Sequence, residues 1–165
     1  MGDHMKAKQL VARSRFLLLF FTLALVVSGL TAFPIGWDLE ILVQFVAPFK
    51  DIAPTLFDWV SLVNRGIQET YTRYPFVAYG TDWLAFAHIV IAIAFIGPLR
   101  DPVKNIWVVE WGMIACVLVI PLAVIVNPIR GIPFFWTLVD CSFGVFGIIP
   151  LWIVRHDILQ ISRVN

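Results

Sequence analysis

The amino-acid sequence predicts an all-α protein: a transmembrane four-helix bundle with short amphipathic interfacial helices in its first extracytoplasmic loop. Three observations lead there. Of the 165 residues, 60% are hydrophobic and only 14% are charged, against about 45–50% and 25% in soluble domains. The apolar residues gather in four runs, 16–33, 77–97, 106–126 and 134–154, each close to the roughly 20 residues a helix needs to cross a bilayer. Between the first two runs lies a stretch with helical periodicity that is too polar to span. The lipid bilayer is therefore the expected surrounding. A net charge of +1 offers no basic face for phosphates, so nucleic acid is not an expected partner.

Residues 1–4 read as a vector remnant, with Met5 as the native start. Lys6, Lys8, Arg13 and Arg15 then precede Phe16–Phe33. That run is long enough for a bilayer and lacks a small-x-small cleavage site, so it reads as the first span and not as a signal peptide. Residues 34–76 form a helical cap. In its first segment Leu39, Leu42, Phe45, Val46 and Phe49 share a face; after Pro54, Leu56, Trp59, Val60, Val63 and Ile67 recur at three and four, opposite Asp58, Ser61, Asn64, Arg65, Gln68 and Glu69. Tyr74 and Tyr79 read as interface anchors. The second span ends at Pro98 and a polar turn. Pro121 is expected to kink the third, and NPIRGIP turns the chain into the fourth. The tail after Val154 reads as short and polar, with His156 and Asp157 as solvated end residues.

Basic residues set the orientation. The amino terminus, the 98–105 turn and the tail hold Lys6, Lys8, Arg13, Arg15, Arg100, Lys104, Arg155 and Arg163; the opposite side holds Lys50, Arg65, Arg73 and Arg130. Both termini are thus expected in the cytoplasm, with the protein in a bacterial inner membrane and the cap outside. Trp37, Trp59, Trp107, Trp136 and Trp152 fall near the expected interfaces.

Six residues inside the runs carry candidate chemistry: Asp82, His88, Glu110, Cys116, Asp140 and Cys141. A charged group at a bilayer centre costs about 2.5–3.5 kcal/mol on insertion scales, so such groups are expected to find partners. On the second span Asp82 and His88 share an alanine-rich face with Ala85 and Ala92; on the fourth Asp140, Gly144 and Gly147 share another. Small residues let helices approach closely in lipid, which turns both faces inward.

Three functions follow from that convergence. Asp82, His88 and Asp140, with Cys141 or water completing the shell, Glu110 as second shell or a second site and Cys116 as a further candidate ligand, are the donor types of a copper, zinc or iron site. An open coordination position would make it a metal-dependent membrane oxidoreductase with a redox or small-molecule partner. Alternatively, Asp82 and Asp140, then His88, then Glu110 descend in steps of roughly 8 Å, as in the relay of a proton-linked transporter or channel. In the third, Arg130 neutralises Asp140 or Asp82, His88 hydrogen-bonds Glu110 or a backbone carbonyl, the cysteines are small packing residues, and the polar groups only fix helix register in a structural or assembly protein. Self-association as a homo-oligomer is compatible with each.

From Tyr74 onward, the strings YGTDWLAFAHIVIA, FIGPLRDP, VVEWGMIACVLVIP, IRGIPFFW and DCSFGVFGIIPL resemble a group of small uncharacterised bacterial integral membrane proteins of four helices. The resemblance covers about half the chain and implies no activity. It groups Asp82, His88, Glu110, Cys116, Arg130, Asp140 and Cys141 together. A quinone-coupled disulfide enzyme would need a CxxC, and a b-type cytochrome paired intramembrane histidines; neither pattern is present.

Overall fold

The computed structural model describes the backbone of residues 2–164 and the side chains of residues 5 and 7–163. The expected vector remnant at 1–4 lies outside those side chains. Among the described residues all regular structure is helical: α1 (Gly2–Ala32), α2 (Ile35–Val46) running into a 3-10 turn (Ala47–Phe49), α3 (Pro54–Arg73), a second 3-10 turn (Pro75–Val77), α4 (Ala78–Ala94), α5 (Ile96–Arg100), α6 (Ile106–Ile129) and α7 (Phe134–Val164). Prolines mark several starts: Pro34 caps α2, while Pro54 and Pro75 occupy first positions, where the missing N–H leaves no helical bond unmade. α6 continues through Pro121 and Pro128.

Four segments are long and apolar enough to cross a membrane: Ala7–Ala32, Pro75–Arg100, Ile106–Ile129 and Phe134–Arg163. They fit a multi-pass protein in a lipid bilayer. Each corresponds to one of the apolar runs, but α1, α6 and α7 extend beyond theirs. The largest difference is in α7, whose helix covers the tail read above as short and polar. The reason is packing: Leu151, Val154, Ile158 and Ile161 recur at three and four and are all buried, so the last turns dock as the earlier ones do.

The chain divides into two compact units. One gathers the residues up to Ala24 with those from Ile91 onward; the other is Leu25–Val90. In the first unit α6 and α7 form an antiparallel hairpin. Phe95, fully buried, meets Phe21 of α1 with ring centroids 4.9 Å apart and lies against Gly112 of α6. In the second unit α2 and α3 form another antiparallel hairpin, with Val46 and Val60 buried. Gly29 of α1 lies there against the Ala85 carbonyl and the His88 Cβ of α4, leaving only 2.9 Å between that oxygen and any added Cβ.

Candidate functional site

The α6–α7 hairpin can be followed as a ladder of facing residues. At one end Arg155 Nε donates to Glu110 Oε1 at 2.8 Å. Gly112 comes next, beside Leu151. Further along, Cys116 meets Gly144 and Gly147 so closely that a Cβ on Gly144 would collide with the Cys116 carbonyl oxygen, and one on Gly147 would stand 2.9 Å from its Sγ. At the far end Asn127 Nδ2 donates to Asp140 Oδ2 at 2.7 Å and to Thr137 Oγ1 at 3.2 Å. Asn127 and Thr137 are buried and Asp140 is half-buried.

The turn beyond that end is closed by a helix-stop motif. Ile132 N–H donates to the Asn127 carbonyl at 2.9 Å and Gly131 N–H to the Pro128 carbonyl at 3.2 Å, while Gly131 takes φ +70°. This is the Schellman pattern, in which a left-handed residue lets the chain reverse and satisfies the last carbonyls. It sets the register in which Asn127 faces Asp140.

A second polar group lies where α7 outlasts its apolar run. The Asp157 carboxylate is completely buried. Arg13 of α1 grips it with two nitrogens: Nε donates to Oδ2 at 2.8 Å and Nη2 to Oδ1. Such a fork is the strong form of an ion pair. The buried Ser14 hydroxyl stands 3.5 Å from the same carboxylate. Close by in sequence to that end of α1, Arg15 Nη2 donates to the Arg100 carbonyl at 3.2 Å. The α5–α6 turn is tied by Asn105, whose amide donates to the Gly97 and Asp101 carbonyls at 3.2 and 2.9 Å. The Lys104 N–H donates to Asp101 Oδ1 and holds that carboxyl below its usual range; burial opposes it and the Lys104 ammonium adds to it.

In the second unit the His88 ring is half-buried and its Nδ1 lies 2.8 Å from the Leu84 carbonyl. A carbonyl can only accept, so Nδ1 carries the hydrogen. Asp82 is half-buried, and no ion pair among the described residues includes it. Its neighbour Thr81 donates to the Ala78 carbonyl at 2.7 Å and shares a 2.9 Å bond with Tyr71.

The structure therefore distributes the sequence candidates. Glu110 and Asp140 occupy opposite ends of the α6–α7 hairpin, separated along α6 by roughly 25 Å at 1.5 Å per residue; Cys116 lies between, and Cys141 is half-buried beside Asp140. Within that unit these donors are strung out and do not converge on one point. Among the described residues no group of three or more His, Cys, Asp or Glu could hold a metal ion. Arg130 is exposed and forms no ion pair among the described residues; Asp140 is met by Asn127 instead. Asp157, expected to be solvated, is buried and paired. Sequence reasoning also passed over Arg13, Asn127, Thr137 and Arg155 as partners. The signal for Asp157 was available: the buried repeat at 151, 154, 158 and 161 carries it into the packed interface. Comparison with family models, curated proteins and solved structures finds no match.

Proposed function

We propose that the protein is a structural or assembly component of the bacterial inner membrane, with both termini in the cytoplasm, in which the intramembrane polar residues are interhelical pins. One observation carries this reading: Glu110 and Asp140, the two carboxylates that the α6–α7 hairpin holds within its apolar runs, are each met by a polar side chain of the facing helix, Glu110 by Arg155 and Asp140 by Asn127. Hydrocarbon offers polar groups no water, so a cross-helix partner both satisfies them and selects one register among those that packing alone would tolerate. The close approach at Cys116, Gly144 and Gly147 supports the same role, because it places the two helices where the pins at either end can reach. The basic residues flanking the spans support the orientation.

The test is a charge swap. Glu110→Arg and Arg155→Glu should each lower unfolding stability in lipid nanodiscs by about 1 kcal/mol, the scale of interhelical polar contacts and of partly exposed ion pairs. The double reversal should recover most of the loss. A swapped protein no more stable than either single variant would end this assignment. Stoichiometric copper, zinc or iron in purified protein, lost in His88→Ala, would transfer it to the metal site. Proton flux in liposomes that disappears in Glu110→Gln would transfer it to a relay.

A further inference from the structure

The α2 helix is apolar on two sides. One side packs on α3 and buries Val46. The other leaves Trp37, Ile41 and Phe45 exposed by 63, 45 and 70%, and Phe49 and Ile52, in the turns that follow α2, are exposed by 50 and 83%. These recur every three or four residues, and they continue a series already running along the end of the first span, where Val27, Leu30 and Phe33 are exposed as well. No polar residue interrupts the series between the two helices. α3 is built the opposite way: its exposed positions include Thr55, Asp58, Arg65, Glu69 and Thr72, with Leu62 the one large apolar side chain among them.

From this contrast we infer that α2 lies along the surface of the leaflet from which α1 emerges, its Trp37–Ile41–Phe45 stripe sunk among the acyl chains, and that α3 covers it from the aqueous side. Chain length supports the placement. Only Phe33 and Pro34 separate α1 from α2, so α2 starts within roughly 11 Å of the end of a membrane span. Its 12 residues reach about 18 Å, too short to cross the roughly 30 Å hydrocarbon layer. An amphipathic helix of this kind rests with its apolar face some 5–10 Å into the boundary of headgroups and chains, and a tryptophan at its start is at home there. Glu40 and Gln44 border the apolar stripe, and Glu40 accepts from Gln68 of α3 at 3.0 Å; the polar edge of α2 is thus the edge that carries α3. The occupant of the stripe is lipid, since the same row of side chains on α1 belongs to a membrane-crossing helix. The placement rests on the spans being in a bilayer and is independent of the pins, so failure of the Glu110–Arg155 swap would leave it standing.

Spin labels in nanodiscs holding one protein copy each test it. Cysteines are placed at Phe45→Cys or Ile41→Cys on α2 and at Arg65→Cys on α3, in a Cys116→Ala, Cys141→Ala background whose helicity and unfolding are checked first. The two α2 sites guard against one substitution spoiling the fold. Labels at 45 and 41 should collide several-fold more often with oxygen than with a water-soluble nickel chelate, and the label at 65 should show the reverse. Equal nickel accessibility at all three sites would overturn the placement by putting α2 in water. Lipid-like values at 65 would overturn it by sinking α3 too. Low accessibility to both reagents at 41 and 45 would overturn it by showing that protein covers the stripe.

Discussion

The protein contains two antiparallel helical hairpins that solve the packing problem differently. In α6–α7 the contact is made by removing side chain: Gly112 admits the Phe95 and Leu151 side chains, Gly144 and Gly147 admit the Cys116 carbonyl and sulfur, and polar pairs close the two ends. In α2–α3 the contact keeps its side chains and uses polar ones in the seam. Gln68 reaches across to the Gly36 carbonyl and to Glu40, both at 3.0 Å, and Asp38 Oδ2, Ser61 Oγ and Asn64 Oδ1 are buried with no hydrogen bond among the described residues. Apolar burial cannot hold helices together where the surroundings are as apolar as the helices, so close contact and hydrogen bonds must do it. In the placement inferred for α2 and α3 water reaches one side, so burial of Val46 and Val60 contributes directly and a polar seam suffices.

The largest expected effect tests the first half of this contrast. Gly144→Ala introduces a methyl group into the Cys116 carbonyl. Neither backbone can give way without moving a helix, so unfolding stability should fall by about 1–3 kcal/mol, the usual cost of overpacking. Equilibrium unfolding in mixed micelles would measure it, and a loss under 0.5 kcal/mol would mean that the hairpin is not held by close backbone contact. A smaller effect tests the other half. Gln68→Ala removes two cross-helix hydrogen bonds, each with a net worth of about 0.5–1.5 kcal/mol. Because the bond to Glu40 is exposed, the expected loss is about 1 kcal/mol, with faster amide exchange confined to α2 and the facing turns of α3. Uniformly faster exchange across α6 and α7 would mean that the loss is not local to the α2–α3 seam.

Much of this arrangement was legible in the sequence, and its gaps have a common physical source. Runs of apolar residues long enough for a bilayer are hard to mistake, so the four spans could be read directly, as could the glycine face of the fourth. Pairing was not legible, because whether Asp140 meets Arg130 or Asn127 depends on where the α6–α7 turn closes, and that rests on the left-handed Gly131. Helical periodicity also failed on α2. The repeat puts Phe45 and Val46 on one face with Phe49, yet Val46 is buried and Phe45 is 70% exposed. Periodicity separates apolar from polar surroundings; it cannot separate a protein neighbour from a lipid one, and α2 has apolar positions on both sides. For the candidate site, residue types indicated which groups need partners, whereas the partners themselves came from register.

The smallest effect has the opposite sign and sharpens the comparison through a glycine of the other hairpin. Gly66 lies inside α3, exposed, with nothing beyond its own stretch of helix within 4 Å of where a Cβ would stand and no positive φ to accommodate. Nothing there requires glycine, so Gly66→Ala should restrict the unfolded chain without disturbing the folded one and should raise stability by about 0.5–1 kcal/mol. The same chemical change is thus expected to weaken one hairpin at residue 144 and strengthen the other at 66. If Gly66→Ala destabilises instead, the outer face of α3 is covered in the membrane-bound protein, and the aqueous surroundings assigned to that helix would have to be given up along with the contrast between the two modes of packing.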